Sequence, residues 1–214
     1  MCSSDLVSIC VAMARTGVTS IDELRRREMT MGTEGKGSDS EVFAMFLRNL
    51  LGLKLKVVTG YPGTNESILA MERGEVDGIC ESLDSVNNRR PDWISGKKVN
   101  VLLQAGSAPH PELAGVPFVR DLARSDEERQ VIDFLYAGQD IGRPFVAPPG
   151  LPPERLKMLR DAFDATMKDA DFIADAKRSK LDLEPEDGAH LATLIDKIYA
   201  TPKSVIERVS RLIQ

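Results

Sequence analysis

The sequence predicts a mainly parallel, layered α/β fold followed by a helical C-terminal region. Short apolar segments typical of strands alternate with amphipathic helical segments from residue 7 to residue 104. Glycine-rich turns follow two of these strands, and each turn opens a helix. Beyond residue 106, proline-rich connections and helices predominate, and a domain boundary is expected at residues 140–150.

The predicted strands are short, as expected for a sheet covered by helices. They span residues 7–13, 29–33, 53–59, 76–80, 99–104 and, in the C-terminal region, 143–147. The first predicted helix is short and follows a cap at Thr19 or Ser20. The others span residues 39–51, 64–73, 126–136, 153–168, 170–179, 185–199 and 202–213, with a helical or irregular stretch at 83–94 that Pro91 interrupts.

Composition excludes several classes of function. The formal net charge of −5 is spread over both signs without a basic block, which argues against binding to nucleic acid or to an anionic membrane surface. The spacing of Cys2, Cys10 and Cys80 is not that of a metal site, and we expect buried free thiols. His110 and His190 lack the partners of a catalytic triad or a zinc site. No catalytic residue, metal or cofactor is therefore assigned.

The first informative turn runs from Gly35 to Glu41. Ser38 can cap the following helix, and Glu41 can complete a capping box. Alternatively, Gly35 and Gly37 let the backbone approach a ligand, while Ser38 and Ser40 offer hydroxyl groups. The segment does not have the spacing of a phosphate-binding P-loop.

The second informative turn contains Tyr61, Gly63 and Thr64. It can be a simple loop in which Thr64 caps the next helix. It can also present the Gly63 and Thr64 amides to a ligand, with Tyr61 as an amphipathic wall. Glu81 follows the next strand along the chain, where the crevices of α/β sheets lie.

Taken in order, several motifs of this chain resemble those of the solute receptors of tripartite tricarboxylate transporters, the TctC-like or Bug proteins. The resemblance extends over nearly the whole chain from Val7 and includes the stretches 32–38, 60–63, 69–78, 116–117, 142–152 and 159–163.

This resemblance implies a type II periplasmic-binding-protein fold, a Venus flytrap of two α/β lobes with the ligand between them. It implies a non-catalytic receptor in the periplasm that captures a small organic acid or an amino-acid-like solute. The receptor would pass this solute to the membrane permease subunits of its transporter and would be a monomer when full length. The resemblance places Ser38, Ser40, Tyr61, Gly63 and Thr64 in loops that face the ligand. Together with Gly35, Gly37 and Glu81, which the residue patterns indicate, these are the expected ligand-binding residues.

The chain departs from the family in its length. We expect an N-terminally truncated polypeptide that has lost its signal peptide, with one complete α/β lobe and the mostly helical C-terminal part of the other. Residues 1–16 would be an entry strand and hinge whose first residues are non-native, because residues 2–6 match a common sequencing-adapter stretch. Residues 17–140 would form the second lobe and 141–214 part of the first lobe, with hinge crossings at 12–17 and 138–143.

Two other functions remain open at this stage. An α/β enzyme could use Glu81 and Asp84 as acid and base on a small metabolite. A sensory module of the same fold could bind an effector. The acids expected around the cleft, which include Glu34 and Glu66, argue against a highly charged ligand.

Overall fold

A computed structural model describes residues 2–3, 7–142, 144–179, 183 and 185–214. Its strands, in chain order, are β1 (Cys2–Ser3), β2 (Ser8–Met13), β3 (Met29–Gly32), β4 (Leu55–Val58), β5 (Gly78–Ser82), β6 (Val99–Ala105) and β7 (Pro185–Glu186). A five-stranded sheet has the order β4-β3-β5-β2-β6, and β1 pairs with β7 in a separate antiparallel ladder.

Four of the five sheet strands run in the same direction. β3 is parallel to β4 and to β5, whereas β2 is antiparallel to both β5 and β6. The carboxyl ends of β3, β4, β5 and β6 therefore meet at one edge, here called the carboxyl edge, where β2 begins. This arrangement agrees with the mainly parallel sheet predicted from the sequence.

Helices cover both faces of the sheet. In chain order they are α1 (Ile21–Arg26), α2 (Asp39–Leu51), α3 (Thr64–Arg73), α4 (Leu83–Arg89), α5 (Asp92–Ser95), α6 (Asp126–Tyr136), α7 (Pro153–Thr166), α8 (Ala170–Arg178), α9 (Gly188–Tyr199) and α10 (Lys203–Leu212). Residues of α2, α6 and α10 share one core cluster, and residues of α3 and α4 share another. Alternate residues of β2 enter the two clusters, as the two-residue period of a strand requires.

Capping residues determine where α2 begins and where α2 and α3 end. The Ser38 hydroxyl accepts the Glu41 amide at 3.4 Å, and Gly52 ends α2 in the left-handed conformation at φ 67°. The predicted capping box is incomplete, because the Glu41 carboxylate accepts the Gly37 amide at 2.6 Å instead. Gly74 ends α3 in the same left-handed way.

Asp77 and Gly78 fix the start of β5. Burial opposes ionisation of Asp77, but the Thr30 hydroxyl at 2.7 Å, the Thr30 amide at 3.0 Å and Arg15 together lower the pKa of this carboxyl. A Cβ atom at Gly78 would lie 2.3 Å from the Val11 carbonyl oxygen. The Asp-Gly pair therefore serves strand packing.

The expectation of free thiols is wrong for two of the three cysteines. Cys10 and Cys80 lie directly opposite each other in the β2–β5 ladder, with Cα atoms 4.1 Å apart, and form a disulfide. They are 70 positions apart in sequence, so strand register brings them together. The spacing of cysteines along the chain does not contain that register.

We expect reduction of the Cys10–Cys80 bond to lower the free energy of unfolding by roughly 2–4 kcal/mol, because the unfolded chain then gains the freedom of a long open loop. Urea denaturation with and without dithiothreitol measures the difference. A Cys10→Ser, Cys80→Ser double variant should behave like the reduced protein, and Cys2→Ser should retain the full effect of reduction. Three free thiols in the denatured, unreduced protein would contradict the pairing.

The C-terminal region differs from its prediction at two points. Residues 144–147 do not form the predicted strand, and Arg143, its first residue, lies outside the described part. The helix predicted from residue 185 begins at Gly188 instead, capped by the Asp187 carboxylate, because residues 185–186 pair with β1. We expected the first residues of the chain to be non-native. Most of these residues, 1 and 4–6, also lie outside the described part.

The last helix packs against α2 and α6, which lie much earlier in the chain. Val205 and Val209 of α10 are buried in the same core cluster as α2 and α6. Arg208 contacts the Glu127 carboxylate at 2.7 Å, and the Asn49 side chain donates to the Leu212 carbonyl at 2.7 Å. The end of the chain is therefore packed against the sheet domain.

The segment before α10 carries large apolar side chains in contact with solvent. All of α7 is described, and none of its residues is buried. Phe145 and Val146 are 73% and 86% exposed. They border an apolar groove of about 630 Å³, here called the C-terminal groove, whose other walls include Leu159, Phe163, Leu191 and Ile195.

Candidate functional site

Three segments meet at the carboxyl edge of the sheet. They are the loop after β3, the loop after β4 and the end of β5. The Gly60 amide donates to the Glu34 carbonyl at 3.1 Å, and the Tyr61 amide donates to the Thr33 carbonyl at 3.3 Å. The second glycine-rich turn is therefore in direct backbone contact with the residues that lead into the first.

Side chains extend this contact to the beginnings of α2 and α3. The Thr64 hydroxyl lies 2.8 Å from Glu34 Oε1 and 2.9 Å from Glu81 Oε2. The Glu34 amide donates to Ser40 Oγ at 3.2 Å, and Ser40 Oγ lies 3.2 Å from Ser38 Oγ. A continuous chain of polar contacts thus links the amino end of α2 with that of α3.

The backbone of the first turn is open on its glycine side. A Cβ atom added at Gly35 or at Gly37 would find nothing within 4 Å. Gly37 has φ +80°, a conformation that favours glycine. A ligand can therefore approach this turn closely, directly before the amino end of α2, where unpaired N–H groups favour an anion.

The second turn differs in detail from its prediction. Gly63, in an extended conformation, occupies the N-cap position of α3, so Thr64 is the first helical residue and not the cap. The ring of Tyr61 packs over Gly32, and a Cβ atom there would lie 3.4 Å from it. Burial, together with Glu75, raises the pKa of the Tyr61 phenol. Its role as a ligand wall stays a prediction.

The carboxylates at this edge set its electrostatic character. Thr64 has one hydroxyl hydrogen, so it can donate to only one of Glu34 and Glu81 at a time. Glu81 is also held by its own neighbour, because Oε1 accepts the Ser82 amide at 2.9 Å. At α2 the edge offers helix amides to an anion, next to the first-turn acids Asp39 and Glu41, of which Glu41 accepts the Gly37 amide. Beside α3 it offers carboxylate oxygens to a hydrogen-bond donor.

Comparison with known proteins identifies the fold. No protein-family model matches the chain, and no curated protein matches it. Among solved structures, it is similar to R. palustris Rpa4515 with adipate (14% identity, TM-score 0.65, 99% of this chain and 66% of that one). It is also similar to a TctC solute-binding protein from Polaromonas (16%, 0.69, 96% and 67%) and to the periplasmic binding protein BugD (17%, 0.62, 98% and 67%).

The chain has the TctC/Bug solute-binding-protein fold. This confirms the fold class and the resemblance named from the sequence. The chain spans about two thirds of the length of the three structures. Within the described residues, the TctC/Bug fold of this chain contains no helix that is both long enough and apolar enough to cross a membrane.

Both residues of the alternative acid–base pair, Glu81 and Asp84, have interaction partners in the structure. Both Glu81 carboxylate oxygens take part in hydrogen bonds with Thr64 and Ser82. Asp84 lies in the first turn of α4 and also has an interaction partner. The structures that share this fold include solute-binding proteins.

In the structure, Glu34 makes more contacts at the candidate site than the sequence predicted. From the sequence, Glu34 is expected among the acids around the cleft but not among the ligand-binding residues. Its backbone contacts both turns, and its carboxylate contacts Thr64. The sequence feature that could have predicted these contacts is the position of Glu34 directly after Thr33, at the carboxyl end of β3.

We expect Thr64→Val to lower the free energy of unfolding by about 1 kcal/mol relative to Thr64→Ser, because valine leaves Glu34 and Glu81 without their shared donor. Urea denaturation of the two variants at pH 7 measures the difference. Adding Glu81→Gln should restore part of the loss, since an amide group can donate to Glu34. Equal stabilities of the valine and serine variants would show that the shared hydroxyl contributes nothing.

Proposed function

We propose that this chain is part of an extracytoplasmic receptor that captures a small carboxylated organic solute for a tripartite tricarboxylate-type transporter. The observation that carries the proposal is the linked pair of helix beginnings at the carboxyl edge, with the open backbone of Gly35 and Gly37 beside one of them. The ligand-binding residues would be Gly35, Gly37, Ser38, Ser40, Tyr61, Gly63, Thr64 and Glu81.

The physical basis is the partial positive charge at a helix amino end. Each such end favours an anion by about 0.3–1 kcal/mol when exposed, and by more when water is excluded. The neutral hydroxyl groups of Ser38 and Ser40 can add hydrogen bonds without the cost of burying a charge. This arrangement suits recognition of one carboxylate, and it does not require a catalytic group.

Glu34 and Glu81 narrow the class of solute. A second carboxylate placed beside α3 would be repelled by both, whereas an ammonium, amide or hydroxyl group could donate to them. We therefore favour an amino-acid-like solute, or a monocarboxylate with a donor group at its far end. Adipate, which is present with the R. palustris protein, has a carboxylate at each end and therefore belongs to a different class of solute.

The proposed location is the periplasm. The Cys10–Cys80 disulfide supports it, because such bonds persist in oxidising compartments. The periplasmic solute-binding proteins that share the fold support it as well. The proposed partners are the solute and the membrane permease subunits that would accept it.

The sequence assigns residues 17–140 to one lobe and residues 141–214 to part of the other. Because α10 is buried in the same core cluster as α2 and α6, we propose that only residues 141–202 belong to the other lobe. The exposed C-terminal groove supports this division, since helices of an α/β lobe normally cover a sheet. Solute would favour the closed arrangement of two complete lobes by binding it more tightly than the open one. A receptor with both lobes complete is expected to be a monomer.

Solute binding can be tested by a thermal-shift screen against amino acids, aromatic acids and dicarboxylates, carried out on the chain completed to a receptor of two lobes. A solute present at 100 times its dissociation constant should raise the free energy of unfolding by about 2.7 kcal/mol. Gly35→Asp should abolish this effect, because it places a negative charge in the open space at the turn. Gly35→Ala is the matched control and should retain most of the binding.

Two outcomes would contradict the receptor function. One is the absence of stabilisation by every acid in the screen at millimolar concentration, in protein whose circular dichroism shows a folded state. The other is equal binding to the alanine and aspartate variants. Preference for dicarboxylates over amino acids would retain the receptor and overturn the assigned solute class.

The domain arrangement makes a separate prediction for the isolated chain. Because the C-terminal groove lacks a cover, we expect 1–214 to bind the dye ANS and to associate as its concentration rises. Leu159→Lys with Ile195→Lys should suppress both effects in fluorescence and sedimentation measurements. Leu69→Lys alters an exposed leucine elsewhere and should not. A monomer without dye binding at 100 µM would contradict the arrangement.

A further inference from the structure

The end of the sheet opposite the candidate site collects positively charged side chains. β3 and β4 begin at this end, here called the amino edge, and α1 and α2 end there. Arg26 and Arg27 lie at the end of α1, and Arg48 lies in the last turn of α2. Lys54 directly precedes β4, and Lys56 lies within it. These five residues are here called the amino-edge patch.

Hydrogen bonds between α1, α2 and the start of β4 show that the patch is continuous. The Lys54 amide donates to the Leu24 carbonyl at 2.8 Å, and Lys54 Nζ donates to the Arg26 carbonyl at 3.1 Å. The Leu53 amide donates to the Arg48 carbonyl at 3.1 Å. The ends of both helices are therefore joined to the residues that lead into β4.

The two lysines of the patch lie on one side of an outer strand. Leu53 and Leu55 are buried, whereas Lys54 and Lys56 are exposed. Because side chains alternate along a strand, the two lysines point to the same side and lie about 7 Å apart. They can therefore bind the same extended partner.

Little negative charge balances the patch. In the part of the chain that the structure describes, none of its five residues forms an ion pair with a carboxylate. Among the nearby acids, Asp22 is paired with Arg25 at 2.8 Å, and the Glu23 carboxylate accepts the Thr19 amide at the beginning of α1. Glu28 is exposed. The patch therefore keeps its charge for a partner.

Two local effects account for the individual cations but not for their grouping. Arg26 and Arg48 are favourable at the carboxyl ends of helices, where the dipole is negative. Lys54 and Lys56 discourage an outer strand from pairing with another chain. Neither effect requires the two sets of cations to be neighbours, and their proximity is what creates a binding surface.

The net charge of the chain favours a narrow partner over a wide one. The chain as a whole carries −5, so the patch is a positive region on an acidic protein. A broad anionic membrane would also meet the surrounding acids. A narrow row of carboxylates can follow the patch alone, because charges more than about 8 Å away are largely screened at physiological salt. Arginine pairs well with carboxylates through two parallel hydrogen bonds.

We infer that the amino-edge patch binds an acidic peptide segment of a partner protein, whose aspartate or glutamate carboxylates pair with the arginine and lysine side chains of the patch. The patch and the candidate site lie at opposite ends of the sheet, so a partner and a solute could be bound together. The inference does not depend on the proposed receptor function.

A fluorescein-labelled octaglutamate peptide tests the inference by fluorescence anisotropy with the chain 1–214. Binding should weaken by about tenfold or more between low and physiological salt, because salt screens the ion pairs. Arg27→Glu with Lys56→Glu should weaken binding at low salt by about tenfold or more, because like charges then face the peptide.

Arg155→Glu with Lys168→Glu is the matched control. It reverses two exposed cations of the C-terminal region and changes the net charge equally, so peptide binding should change by less than about twofold. Equal weakening by the two double variants would show that only net charge matters and would overturn the inference.

Three further results bear on the partner class and on independence from the solute site. Absence of peptide binding at low salt, in protein whose circular dichroism shows a folded state, would overturn the inference. Tighter association with phosphatidylglycerol vesicles or with oligothymidylate than with the peptide would overturn the assigned partner. Gly35→Asp, which should abolish solute binding at the carboxyl edge, should leave peptide binding unchanged.

Discussion

The common direction of β3, β4 and β5 is the constraint on which the rest of the molecule depends. Because their carboxyl ends meet at one edge, two helices begin close together, and the backbone of the second glycine-rich turn donates hydrogen bonds to the residues that lead into the first. A slip of one residue between these strands would turn buried side chains to the opposite face. The geometry of the candidate site is therefore a consequence of strand pairing, and its loops only refine it.

Local features of the structure could be predicted well from the sequence. The bounds of α3 and α6 agree with the prediction because glycine and serine caps at their ends act within a few residues. Contacts between distant residues could not be predicted in this way. The Cys10–Cys80 bond and the two carboxylate partners of Thr64 depend on which strands are neighbours, and chain order does not contain that information.

The C-terminal region shows a different limit of sequence patterns. Residues 144–147 have the composition of a strand, but a strand also needs a partner with free backbone groups. Residues 185–186 have such a partner in β1, and they are therefore not part of the helix predicted for them. Pattern alone can thus indicate an extended segment, while the presence of a neighbour decides whether a ladder forms.

The return of α10 to the sheet domain constrains any movement between the two parts of the chain. A segment attached at only one end could rotate freely. Residues 144–199, however, are attached at both ends. They lie between the α6 connection and the final helix, which is held by Val205, Val209 and the Arg208–Glu127 contact. Both anchors are on the same body. Any opening movement of the intervening segment would therefore have to leave both of its ends in place.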